Sequence, residues 1–153
     1  MIDTPQIVAT AAQTTAVIRL HVMRADIEAA MDAALGELLS VLQAQGVPPA
    51  GPLFTRHLRR PSESFEFEVG FPVASNIVPF GRVTMSELPA VRTAHTICRG
   101  GYEGLAGAWG ELMRWIAEQG LNDAEWLWEV YRVGPESGLN SNSWETDLYR
   151  PLR

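Results

Sequence analysis

Lysine is absent from this 153-residue sequence, and cysteine occurs once, as Cys98. Without lysine the chain cannot form a Schiff base with a carbonyl compound or make the lysine–phosphate contact of a Walker-type nucleotide site. A single cysteine excludes a disulfide within the chain. No run of about 18 apolar residues is present, and the first residues lack the basic segment of a signal peptide. We therefore expect a cytoplasmic protein that does not enter a membrane.

Positive charge is also scarce. Twelve arginines face eighteen acidic residues, which gives a formal net charge of −6. The arginines are spread along the chain, and the densest group spans residues 56–60. Because direct nucleic-acid binding needs a basic face that neutralises phosphates, we expect no such binding.

Motifs for metals, cofactors and nucleophilic catalysis are missing as well. The three histidines have no zinc-like spacing with one another or with Cys98. His95 and Cys98 are three residues apart, which places them on opposite faces of a strand and excludes a thiol–imidazole dyad. Gly100 and Gly101 precede a predicted helix without the full fingerprint of a phosphate loop, so a tight turn is the simpler interpretation. We expect neither metal nor cofactor.

An internal repeat organises the chain. Shifting the sequence by 74 positions aligns residues 16–57 with residues 90–131 without a gap, and eleven positions are identical. Chance would give about three identities at ordinary residue frequencies. We therefore expect one α+β domain over residues 1–153, built from two repeats at about 7–73 and 82–152. The identical pairs are Ala16/Ala90, Val17/Val91, His21/His95, Ala34/Ala108, Gly36/Gly110, Glu37/Glu111, Leu38/Leu112, Gln45/Gln119, Gly46/Gly120, Ala50/Ala124 and Leu53/Leu127.

Each repeat has the pattern strand, helix, strand, strand. Apolar residues at helical spacing predict amphipathic helices over residues 26–45 and 102–119. Asp26 is a candidate N-cap, and Gly46 and Gly120 are the expected stops. Two βαββ units are thus predicted, each with a helix covering one face of a sheet.

Apolar and polar side chains alternate in the predicted strands at 65–73, 125–133 and 144–149. We expect the helices to cover one face of these strands. The side chains predicted for that covered face are Phe65, Phe67, Val69, Phe71, Val73, Trp126, Trp128, Val130, Trp144, Thr146 and Leu148. The carboxylates and phenols predicted to gather on the opposite face are Glu68, Glu129, Tyr131, Asp147 and Tyr149.

Glu129 is the strongest candidate for a functional carboxylate. It lies between Trp128 and Tyr131 in an aromatic-rich strand, where partial desolvation raises the pKa of a carboxyl group. For Glu66, Glu68 and Glu145, a solvated outer face is the simpler interpretation. An acidic, aromatic-walled cleft suits a flat or cationic organic molecule.

Four short segments carry a resemblance to a known family. They are Phe-Glu-Val-Gly-Phe-Pro-Val at 67–73, Gly-Gly-Tyr-Glu-Gly-Leu at 100–105, Trp-Glu-Val-Tyr at 128–131 and Trp-Glu-Thr-Asp-Leu at 144–148. In this order they resemble the GyrI-like small-molecule-binding family, over roughly residues 5–152.

The resemblance implies a tandem, SHS2-like βαββ fold with a ligand cleft between its halves. Members of the family serve as effector-binding domains of AraC-type and MerR-type multidrug regulators or stand alone. The family includes a gyrase inhibitor and hydrolases of cyclopropane-bearing alkylators. The family's cleft glutamate matches Glu129, and the tyrosine that opens its second helix matches Tyr102. Thr55 occupies the position equivalent to Glu129 in the first repeat, so the cleft is expected to be asymmetric.

Three functions stay open at this point. The first is a stand-alone domain that binds an aromatic, cationic or polycyclic compound, with Glu129 as anchor. The second is a cyclopropanoid hydrolase in which Glu129 activates water and Tyr102 assists. The third is inhibition of a protein such as gyrase, or contact with a partner regulator; the oligomeric state is open. The expected ligand-binding residues are Glu129, Tyr131, Tyr102, Tyr149, Phe54, Trp128 and Glu68.

Overall fold

The computed structural model describes residues 2–59 and 62–153. The first residue and the end of the basic group at 56–60 lie outside this part of the chain. Within it, eight strands and two α-helices are present. The elements are β1 (Gln6–Ala9), β2 (Gln13–Met23), α1 (Ile27–Ala44), β3 (Phe54–His57), β4 (Ser64–Pro72), β5 (Val83–Leu88), β6 (Arg92–Arg99), α2 (Leu105–Glu118), β7 (Leu127–Val133) and β8 (Glu145–Pro151).

Residues 11–90 form a compact unit, here called the first unit. Its strands pair antiparallel in the order β3, β4, β2, β5. The alternation predicted for the strand at 65–73 is confirmed, because Phe67 and Val69 are buried with the apolar face of α1. The core of this unit contains Ala16, Ile18, Leu20, Ala34, Leu38, Leu42, Phe67, Val69, Phe71, Val73, Ile77 and Val83.

The described residues up to Thr10, together with residues 91–153, form the second unit. Its strands pair antiparallel in the order β1, β6, β8, β7. Leu148 is fully buried with α2, as predicted. The core of this unit contains Ala94, Cys98, Ala108, Leu112, Ile116 and Leu148.

Two strands pair with the unit that does not contain their nearest neighbour in the sequence. β1 precedes β2 in the sequence but pairs with β6, and β5 precedes β6 but pairs with β2. The predicted strand–helix–strand–strand order is confirmed as β2-α1-β3-β4 and β6-α2-β7-β8, and with it the α+β fold class. The repeat boundaries at 7–73 and 82–152 stay a prediction.

Both helices end at the predicted glycines. Gly46 and Gly120 have φ angles of 66° and 69°, a left-handed conformation that glycine adopts without steric cost. After α1, the Val47 amide donates to the Leu42 carbonyl at 3.0 Å, and the same bond recurs after α2. These bonds are those of a Schellman motif, which satisfies carbonyls at the end of a helix.

The predicted capping role of Asp26 is wrong. Asp26 immediately precedes α1, but its side chain makes no capping hydrogen bond. It belongs to a 3₁₀ turn, Arg24–Asp26, and its φ and ψ of −103° and −1° are already helical. A side chain caps a helix from an extended backbone, and Asp26 lacks that geometry.

No helix in the described part of the chain is long and apolar enough to cross a membrane.

Candidate ligand-binding site

Strand β7 places the Glu129 carboxylate against helix α2. Glu129 pairs across the sheet with Leu148, whose side chain packs with α2. The indole Nε1–H of Trp109, on α2, donates to Glu129 Oε2 at 2.6 Å. The hydroxyl of Tyr131 donates to Oε1 at 2.8 Å. Both carboxylate oxygens are therefore held by neutral aromatic donors.

This arrangement corrects the predicted faces of β7. Glu129 was expected on the face away from the helices, together with Tyr149, and Trp128 on the covered face. Instead Trp128 pairs with Tyr149 on the face away from α2, and their rings stack at 4.4 Å. The prediction is wrong because both faces are buried at the start of β7: Leu127, Trp128 and Glu129 are all at most 9% exposed. Alternation then gives no signal for the face that the helix covers.

Burial sets the electrostatics of Glu129. Desolvation raises the pKa of its carboxyl group, and the hydrogen bonds from Trp109 and Tyr131 offset only part of this effect. Among the described residues, no arginine or histidine forms an ion pair with this carboxylate. Glu129 is thus a buried acid whose partners are neutral.

Tyr102 lies at the exposed edge of this group. It opens the short 3₁₀ turn before α2, and 36% of its surface is exposed. Its ring centroid lies 5.6 Å from that of Tyr131 and 5.0 Å from that of Trp144. The hydroxyl lies so close to Gly134 that a Cβ there would come within 2.5 Å of it. Burial raises the pKa of the Tyr102 phenol, and the carboxylates of Glu136 and Glu129 add to the effect.

The opposite face of the second unit carries a separate network. Trp126, Trp128, Tyr149 and His95 form a continuous stack, with centroids 5.3, 4.4 and 4.6 Å apart. Burial raises the pKa of the Tyr149 phenol. The stack lies on the other side of the sheet from Glu129.

Asp147 connects this stack to an arginine. Its carboxylate is 3% exposed, lies 2.8 Å from His95 Nε2 and accepts two hydrogen bonds from Arg132, at 2.7 and 3.0 Å. Asp147 is thus a paired, buried acid. Because His95 and Arg132 compensate its buried charge, Asp147 is explained as a structural group.

The first unit holds the other two predicted site residues. Phe54, on β3, is 1% exposed. Glu68, on β4, accepts hydrogen bonds from Ser86 at 3.1 and 3.2 Å and lies 3.9 Å from Arg56. Thr55, the counterpart of Glu129, is buried beside the apolar core. A ligand role for Phe54 and Glu68 stays a prediction.

Sequence reasoning missed two aromatic members of the Glu129 group. Trp109 packs on the core of the second unit, and its indole N–H also holds the carboxylate. Trp144, predicted for the covered face, contacts Tyr102 and donates to the Leu139 carbonyl at 3.2 Å.

We define the aromatic–acid site as Glu129, Tyr131, Tyr102, Trp109 and Trp144. Its members come from β7, from helix α2 and the turn before it, and from the residue that precedes β8. In the sequence comparison, residues 3–153 match the model of the GyrI-like small molecule binding domain. The chain belongs to this family. The comparison with curated protein sequences gave no match.

Solved structures share the GyrI-like fold with this chain. EcmrR in a DNA complex superposes with a TM-score of 0.87 at 20% identity, over 98% of this chain and 57% of the EcmrR chain. The chain therefore spans little more than half of EcmrR. The EcmrR C-terminal domain alone superposes with a TM-score of 0.86 at 18% identity, over 98% of this chain and 97% of that domain.

Two further structures are similar over almost the whole chain. SAV2435 bound to tetraphenylphosphonium has a TM-score of 0.74 at 12% identity, covering 99% of this chain and 94% of SAV2435. A hydrolase from Listeria innocua has a TM-score of 0.68 at 9% identity, covering 97% and 91%. At these identities, the likeness concerns the fold alone.

Proposed function

We propose that this GyrI-like domain binds an aromatic cation, with Glu129 as its electrostatic anchor. The observation that carries the proposal is a buried carboxylate whose described partners are two neutral aromatic donors. A buried acid with no cation beside it loses stability when it ionises. A bound cation would supply the missing charge and restore the ionised form.

The aromatic neighbours favour the same ligand class. Tyr131, which donates to the acid, contacts the ring of Tyr102, and Tyr102 contacts Trp144. The faces of such rings attract cations within about 6 Å of their centroids. The ring of Tyr102 is partly exposed, so it offers contact area to an incoming aromatic group. The binding of tetraphenylphosphonium by SAV2435, which shares the fold, agrees with this class.

The test compares a cation with a neutral compound of similar shape. Tetraphenylphosphonium and triphenylphosphine oxide are titrated into wild-type protein and Glu129→Gln, with binding followed by calorimetry and tryptophan fluorescence. We expect Glu129→Gln to lower the affinity for the cation at least about tenfold, because the substitution removes a buried charge partner. Binding of the neutral compound should change less than about twofold on the same reasoning.

A matched control and the pH dependence sharpen this test. Glu111→Gln removes an exposed carboxylate from α2 and should leave both affinities unchanged. Because the pKa of Glu129 is raised, cation affinity in the wild type should rise with pH as the carboxyl group ionises. Glu129→Gln should lose that dependence. If Glu129→Gln lowers the affinities for the cation and for the neutral compound equally, the anchor role is refuted.

A second candidate function is hydrolysis of a cyclopropane-bearing alkylator at the same residues. The favouring observation is that two donors fix the Glu129 carboxylate while burial raises its pKa, as suits a general base. In this reaction the oxygen of water attacks a ring carbon, the strained carbon–carbon bond breaks, and Glu129 takes the proton. The Tyr102 hydroxyl protonates the oxygen that receives the electron pair. The hydrolase of similar fold agrees with this chemistry.

Turnover separates this candidate from binding alone. Substoichiometric protein is incubated with the alkylator, and the compound is followed by mass spectrometry. Hydrolysis predicts many equivalents of a product that has gained one water, and its loss in Glu129→Gln. An unchanged compound, or equal turnover by Glu129→Gln, would exclude this mechanism.

A further inference from the structure

A short projection on the first unit exposes apolar side chains. Val78 and Phe80 are 72% and 71% exposed, the highest values among the large apolar side chains of the described residues. Both lie in the connection between β4 and β5, two residues apart. Exposed apolar groups placed together mark interaction surfaces more often than isolated ones do.

The projection is held rigidly by the rest of the first unit. The side-chain amide of Gln45 donates to the Val78 carbonyl at 2.7 Å and accepts from the Val78 amide at 2.8 Å. Phe80 and Val83 exchange two backbone hydrogen bonds at 3.0 and 3.1 Å. Between them, Gly81 has a φ of 57°, which lets the chain turn tightly. The exposure of Val78 and Phe80 is therefore a fixed feature of the surface.

The same face carries a hollow of about 300 Å³ between α1 and the start of β5. Gly36, in the middle of α1, lies on its wall, and a Cβ there would meet nothing within 4 Å. Glycine weakens a helix relative to alanine, and packing inside the unit does not require it here. Glu37, Phe80 and Arg82 also line the hollow.

We propose that two copies of this chain associate through this face, with Phe80 of each copy entering the hollow beside Gly36 of the other. A two-fold interface needs one patch that carries both a projection and a recess, and this face carries both. The charges on this face also fit a second copy of the chain. Glu37 and Arg82 form an ion pair at the rim, so a two-fold axis places each acid opposite the base of the other copy. This balanced patch contrasts with the net charge of −6 of the whole chain.

The first test is the oligomeric state of the full chain, measured by sedimentation velocity from about 1 to 200 μM, a range that spans typical weak self-association constants. We expect a concentration-dependent dimer. Phe80→Glu should raise the dimer dissociation constant at least about tenfold, because it buries an unpaired charge at the centre of the interface. Leu139→Glu, at an exposed apolar position of the second unit, is the matched control and should dimerise like the wild type. A monomer throughout this range, or equal effects of the two variants, would overturn the proposal.

A second test checks which residues meet. Phe80→Cys and Gly36→Cys are made in separate chains, each with Cys98→Ser, and mixed under mild oxidation. The proposal predicts a covalent heterodimer that exceeds the product formed when Leu139→Cys replaces Phe80→Cys. A dimer that forms without this excess would show that another surface joins the copies and would refute the proposed contact. Folding of each variant is checked by circular dichroism.

Discussion

At the scale of single residues, His57 is a buried base whose charge opposes folding. It is 7% exposed, and its ring stacks on Phe67 at 5.1 Å and meets the edge of Phe65 at 5.9 Å. Its Nδ1 atom has no hydrogen-bond partner within the described residues. Burial lowers the pKa of His57 from 6.5 to about 4. The folded protein therefore holds this imidazole in its neutral form.

This shift predicts a pH dependence of stability. The unfolded chain binds a proton near pH 6.5 and the folded chain only near pH 4. The stability linked to His57 is thus complete above pH 6.5 and is lost as the pH falls toward 4. Between pH 7.5 and pH 5 the linked loss is about 2 kcal/mol in the free energy of unfolding.

Urea unfolding at these two pH values tests the prediction. His57→Phe keeps the ring contacts and removes the ionisable group, so its stability should change with pH by about 2 kcal/mol less than that of the wild type. His21→Phe, at an exposed position, should behave like the wild type. If wild type and His57→Phe lose the same stability, the neutral burial of His57 is disproved.

Single residues of the site were predictable to different degrees. The aromatic neighbours of Glu129 in the sequence correctly predicted a desolvated carboxylate with a raised pKa. The hydrogen bond from Trp109 joins residues twenty positions apart, on a helix and a strand. No local sequence pattern predicts a contact between residues so far apart in the chain, so only the packing of α2 on β7 reveals the donor.

At the scale of elements, boundaries were easier to predict than faces. Gly46 and Gly120 end their helices because a left-handed residue is needed there, and that need is visible in the sequence. The face of β7 was not visible, since a strand buried on both sides has large side chains in both alternating sets. The register of β7 against β8 also shifts between Val130 and Val133. Such an irregularity changes which side chains share a face.

At the scale of the whole molecule, the exchange of β1 and β5 is what the repeat could not predict. These two strands lie outside the aligned segments 16–57 and 90–131, so the repeat carries no information on their pairing partners. The choice depends on which long-range pairing the folded sheets permit.

The exchange predicts that the first ten residues stabilise the second unit. The backbone of β1 pairs with β6, the Thr96 hydroxyl donates to the Asp3 carbonyl at 2.6 Å, and Arg99 binds the Asp3 carboxylate at 2.8 and 2.9 Å. Deleting residues 1–10 removes all of these contacts. The amides of β6 that β1 protects should then exchange hydrogen much faster, whereas those of β2, paired with β4 and β5, should keep their protection.

Hydrogen exchange followed by mass spectrometry separates the two topologies, because peptides from β2 and β6 are far apart in the sequence. Faster exchange confined to β6 would place the N-terminal strand in the second unit, as the pairing describes. The aromatic–acid site should also become less stable, because β8 pairs with both β6 and β7. Loss of protection in β2 with β6 unaffected would mean instead that the first strand pairs within its own repeat, and the exchanged topology would be wrong.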